Sequence, residues 1–147
     1  MTYLERITFL FGEVIEITQY AVKNAYRLNA YLSIGHSEKE FVSDRNIIAE
    51  NQAKKDYEKV LNKSGKEIIA DFSNSYLSTK TMNKLSSLLL KRDYLVNSFF
   101  IDNGYALSKE DMVVYNDVIA QLEEYSSLAK ELNSSLAKEI TNFDFSK

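Results

Sequence analysis

The segment Lys91-Arg92-Asp93-Tyr94-Leu95-Val96-Asn97 sets two cations, a carboxylate and an amide inside a run that is otherwise apolar from Leu88 to Phe100. On a helix, Arg92 shares a face with Leu85, Leu88, Leu89, Val96 and Phe99, so its guanidinium starts near the buried side and must find an acidic or anionic partner there. Asp93 and Asn97, four residues apart, stack on the adjoining face. Arg92, Asp93 and Asn97 are therefore expected beside a groove, where an arginine fork with Lys91 nearby holds a phosphate or carboxylate. The competing arrangement has Arg92 and Asp93 paired with neighbouring helices and Asn97 bonded locally.

Little other chemistry is open to these 147 residues. There is no cysteine and one histidine, His36, which excludes thiolate nucleophiles, cysteine-ligated metals and any site needing two imidazoles. No phosphate-loop, dinucleotide, zincin or nucleophile-elbow motif occurs, and no metal or cofactor is expected. His36 falls in a loop, and the ten tyrosines read as packing groups with a wet hydroxyl. Glu5, Arg6 and Glu13 interrupt the first apolar stretch, and no apolar run reaches the roughly 18 residues of a membrane span, so a cytoplasmic protein without a membrane partner is expected.

The elements that must position these residues are helical. With no proline and four glycines, the chain lacks the punctuation of hairpin-rich sheets. Apolar steps of three and four through Leu4, Ile7, Phe11, Val14, Thr18, Ala21, Ala25, Leu28 and Leu32 predict a helix from about Thr2 to Ser33, with Gly12 inside it. Its small midsection lets another helix come close. Ser37 with Glu40 forms a capping box for a second helix reaching about Asn62, with a break possible between Ser43 and Asn51. A turn at Ser64-Gly65 leads to a short helix ending near Ser78, and a fourth helix takes Thr79 to Asp102, stopped by Asn103 and Gly104. Three of the four glycines are expected to end helices in the left-handed conformation. Ser108 caps a last helix whose stripe of Val118, Leu122, Tyr125, Ala129, Leu132, Leu136, Ile140 and Phe143 suits bundle packing. The expected architecture is one helical domain over 1–147, an all-α, up-and-down bundle of four or five helices that pairs as a homodimer.

Charge is uneven along the chain although the net value is only -3. Residues 54–92 hold nine basic side chains against four acids, and residues 109–147 hold four lysines against eight acids. Lys55, Lys59, Lys63 and Lys66 follow one helical face, which a polyanion could track; a solvated face, or pairing with the acidic tail within the fold or across a dimer, accounts for them equally.

The run Lys91-Arg92-Asp93-Tyr94-Leu95-Val96-Asn97-Ser98-Phe99-Phe100 resembles the Arg-polar-x-x-x-His motif of HEPN domains, often Lys-Arg-Asn-x-Leu-x-His-x-Phe-Phe, on the penultimate long helix of a bundle. The resemblance covers roughly the last seventy residues. It implies an RNA-binding or RNA-cleaving module, often homodimeric, with Arg92 as the phosphate-holding arginine, Asp93 at the variable polar position and Asn97 where the family has histidine. Imidazole exchanges a proton near neutral pH and a carboxamide does not, a replacement worth on the order of 10² to 10⁴ in rate. The expectation is therefore a noncatalytic HEPN-like module able to bind RNA or a protein partner, by family analogy in bacterial defence, toxin–antitoxin or phage conflict. A surviving metal-independent ribonuclease is one alternative. Helix-mediated protein association without nucleic acid, sensitive to Leu132 or Leu136, is another.

Overall fold

The computed structural model describes residues 2–36 and 44–146. Among these residues there are six helices and no strand: α1 (Tyr3–Gly35), α2 (Arg45–Glu58), α3 (Gly65–Asp71), α4 (Thr79–Asn97), α5 (Phe99–Ser108) and α6 (Met112–Thr141). The helical ends are chemically marked. Thr2 with Glu5 and Ser64 with Glu67 form capping boxes for α1 and α3, and Ser78 accepts the Thr81 N–H at the start of α4. The Ser37–Glu40 box lies outside the described residues; α2 is seen from Arg45 and ends at Glu58, short of Asn62.

Side-chain pairs fix the helix directions. Arg6 meets Glu123, Asn24 meets Asn133 at 2.7 Å and Tyr31 packs on Phe143, so α1 and α6 run the same way. Tyr31 and Arg45, at the start of α2, both meet Phe145, while Tyr57 near the end of α2 lies close to Tyr20, so α2 opposes α1; Lys84 meets Glu131 and Lys91 lies over Tyr125, so α4 opposes α6. The stripe on α6 is buried against its own chain, Leu132 and Leu136 included. Two apolar clusters result. One gathers Ala21, Ala25, Phe72, Leu85, Leu89, Leu132 and Leu136; the other gathers Ile7, Leu10, Val14, Leu95, Phe99, Leu107 and Leu122. Buried Thr18 and Ser126 lie between them in sequence on α1 and α6, and the Ser126 hydroxyl donates to Glu13, which also pairs with Lys130.

Three expectations about element ends are corrected. The predicted fourth helix breaks at Ser98 (φ -131°), turning Phe99 into the second cluster, and Asn103 and Gly104 continue α5 instead of stopping a helix. Asn103 is used inside that helix, its Nδ2 donating to the Phe99 carbonyl at 2.9 Å. Asp111, not Ser108, caps α6 by accepting the Val113 N–H at 2.9 Å, while the Ser108 hydroxyl donates to the Tyr105 carbonyl within α5. No described glycine has a positive φ; Asp44 and Glu110 take the left-handed conformation instead. The extra break gives six helices among the described residues, and the short third helix stops at Asp71.

Candidate functional site

Arg92 and Asp93 emerge from the last two turns of α4, a helix that Leu85, Leu88, Leu89 and Leu95 anchor in the core, and both side chains reach the turn that joins α2 to α3. The Arg92 Nη2 donates to the Lys63 carbonyl at 3.1 Å. The Asp93 carboxylate accepts the Gly65 N–H at 2.7 Å and the Lys66 N–H at 3.2 Å. The two side chains are only 15% and 17% exposed, and their own charges lie 3.7 Å apart. Each sign has thus found the complementary backbone pole: the cation takes a carbonyl ahead of α3, and the anion takes amides in its first turn.

The close approach depends on Gly65. A β-carbon there would lie 2.5 Å from the Leu89 carbonyl oxygen and under 3 Å from both Asp93 oxygens. Leu89 is fully buried, so α4 cannot withdraw without opening the core.

The other predicted members go elsewhere. Lys91 donates to Ser87 at 2.8 Å and rests 5.5 Å from the centre of the Tyr125 ring on α6. Asn97 is exposed at the end of α4. The structure therefore brings Arg92 and Asp93 together on one turn and leaves Lys91 and Asn97 apart from them. A hollow of about 590 Å³ lined by Leu28, Leu32, Tyr76, Lys138 and Phe143, and another of about 450 Å³ lined by Lys23, Arg27, Glu50, Lys54 and Tyr57, are built from different residues. In the lysine row, Lys63 pairs with Asp71 at 2.8 Å, while Lys55, Lys59 and Lys66 are exposed.

A second polar cluster was not anticipated from sequence. Arg27 grips Glu50 through Nε and Nη2 at 2.8–3.1 Å, the Tyr31 hydroxyl donates to Glu50 at 2.9 Å, and Asn24 links Arg27 to Asn133 on α6. The Arg27 hydrogen bonds, opposed by burial and aided by Tyr31, hold the Glu50 carboxyl below its ordinary range. Burial first, then the bond to Glu50, pushes the Tyr31 hydroxyl up. A carboxylate so saturated with donors is a poor general base, and the cluster clamps α1 to α2 and α6. Only the four-residue spacing of Arg27 and Tyr31 was visible in sequence; Glu50 enters through the packing of α2. His36 stacks on Tyr76 with ring centres 5.0 Å apart.

Among the described residues, no group of three or more histidine, aspartate or glutamate side chains could hold a metal ion, and no helix is long and apolar enough to cross a membrane. Comparison with protein-family models, curated proteins and solved structures finds no match to this chain.

Proposed function

We propose that the chain is a noncatalytic helical association module whose ligand is a protein. The observation that carries this reading is the contrast between the motif segment and the helix after it. Arg92 and Asp93 are engaged with the backbone of residues 63–66, whereas α5, apolar at Phe99, Phe100, Ile101, Tyr105, Ala106 and Leu107, buries only Phe99 and Leu107. Ile101 is 81% and Tyr105 75% exposed. Arg92 is only 15% exposed, with one N–H given to the Lys63 carbonyl and the Asp93 carboxylate 3.7 Å away, so little of its guanidinium faces an incoming phosphate, and no titratable group stands at Asn97 to move a proton. The HEPN resemblance fits this reading as a likeness of helix order and motif position, with the arginine diverted to the fold.

Site-specific photo-crosslinking in expressing cells tests it, with benzoylphenylalanine at position 101 compared with position 58 on exposed α2. The expected result is protein adducts at position 101 that withstand ribonuclease and are absent at 58. RNA adducts, equal labelling at both positions, or Arg92-dependent degradation of mixed RNA by the purified chain would overturn the reading. Leu132 and Leu136 lie in the chain's own core, so their substitution reports on folding rather than on association.

A further inference from the structure

Resting on that reading, we infer that the partner covering α5 is a second copy of this chain, packed antiparallel on the same helix. Ile101, Gly104, Tyr105 and Ser108 recur at the three- and four-residue steps of one helical face, opposite the buried Phe99 and Leu107. Phe100, at 52% exposed, flanks this face on the N-terminal side, and Met112 and Val113, at 48% and 67%, follow it across the short link to α6. Multiplied by ordinary side-chain areas, these five apolar side chains leave roughly 600–700 Å² uncovered, above the usual patch on a monomer and most of the ~800 Å² that one partner of a standard interface buries.

Charge selects the occupant and its direction. Asp102 and Lys109 lie seven residues apart, about two turns, on one flank of the apolar face, the Asp102 carboxylate also accepting from the Tyr94 hydroxyl of its own chain. Lys109 keeps helical backbone geometry (φ -80°, ψ -4°), and its ammonium sits 4.8 Å from the centre of the Tyr105 ring. Related by a twofold axis between positions 105 and 106, two antiparallel copies of α5 bring Asp102 of each opposite Lys109 of the other, so one helix supplies both halves of the charge pattern. The same axis sets the two Tyr105 side chains against each other at the centre. Gly104 contributes close approach: a β-carbon there would meet nothing within 4 Å, and its backbone is not left-handed, so the fold of one chain supplies no reason for glycine.

Sedimentation analysis of the purified full chain tests the inference. At about 10 µM the expected mass is twice the 16.9 kDa of one chain. Ile101→Glu with Tyr105→Glu is expected to give a monomer of unchanged helix content, since both side chains are exposed. Asp102→Lys alone is expected to weaken the dimer by about tenfold or more, and adding Lys109→Asp to restore it. Because the chain has no cysteine, Gly104→Cys introduces a single thiol, expected to crosslink to its copy under mild oxidation, while Glu58→Cys does not. A monomer at concentrations up to about 100 µM, or a dimer indifferent to the α5 changes and the charge exchange, overturns the inference. If the chain is monomeric while position 101 still labels a different protein, self-pairing falls and the association reading stands.

Discussion

Asp93 accepts the Gly65 N–H at 2.7 Å across the junction of α4 and α3, and the glycine's lack of a side chain is what lets the carboxylate arrive. Alanine at a helix position ordinarily gains roughly 0.5–1 kcal/mol over glycine. Here its methyl would meet the Leu89 carbonyl at 2.5 Å, so Gly65→Ala is expected to reverse the sign and destabilise by about 1–3 kcal/mol in urea unfolding. Asp93→Ala removes two charge-assisted bonds and is expected to cost a similar amount, about 1.5–3 kcal/mol. The two losses should not add, because both loosen one contact.

Asn97→His places the titratable ring that the motif resemblance lacks. RNA incubated with this variant is expected to stay intact on a denaturing gel, because the Arg92 side chain is only 15% exposed, bonded to the Lys63 carbonyl and beside the Asp93 carboxylate. Asn97 is exposed, so the change should move stability by no more than about 0.5 kcal/mol. Cleavage that appears with histidine and vanishes with Arg92→Ala would show that the guanidinium is available to substrate.

The Glu50 carboxyl is held below its ordinary range by Arg27 first and Tyr31 second. A carboxyl lowered in the folded state contributes stability that is complete above the unfolded value, about 4.3, and is lost as pH falls through the lowered folded value. The melting-temperature gap between the natural chain and Glu50→Gln is therefore expected to be widest near neutral pH and to narrow below about pH 4. A gap that stays constant into acid would mean that the charge of Glu50 contributes nothing.

Thr18 is fully buried on α1, and its hydroxyl has no hydrogen-bond partner. Thr18→Val keeps the branched shape and removes the stranded polar group, so a gain of about 1 kcal/mol is expected. At this chain length that raises the melting temperature by roughly 2–4 °C, readable by calorimetry.

Helicity, the buried stripe of α6 and the long first helix were legible because they rest on local periodicity: apolar residues at steps of three and four mark a face whatever it packs against. Ser64 and Ser78 likewise sit where helices begin. The break at Ser98 was not legible, since Phe99 through Leu107 has helical spacing on both sides and only the second apolar cluster pulls Phe99 inward. Asn103 and Ser108 misled for a related reason: a polar side chain near a helix end can stop, cap or reinforce it, and the choice depends on which backbone group is left without a partner.

The amino-acid sequence by itself determined that the chain folds as helices, that Arg92 must find a partner near a buried face, and that no thiol or histidine-pair chemistry is open to it. Tertiary structure alone decided which partner that would be. Residues 63–66 reach Arg92 and Asp93 from nearly thirty positions away, with no periodic signal to announce them, and once α3 docks there both charges are occupied by backbone. Tertiary structure also left Ile101 and Tyr105 in solvent, because α5 can turn only one face toward the core and its apolar residues encircle the helix.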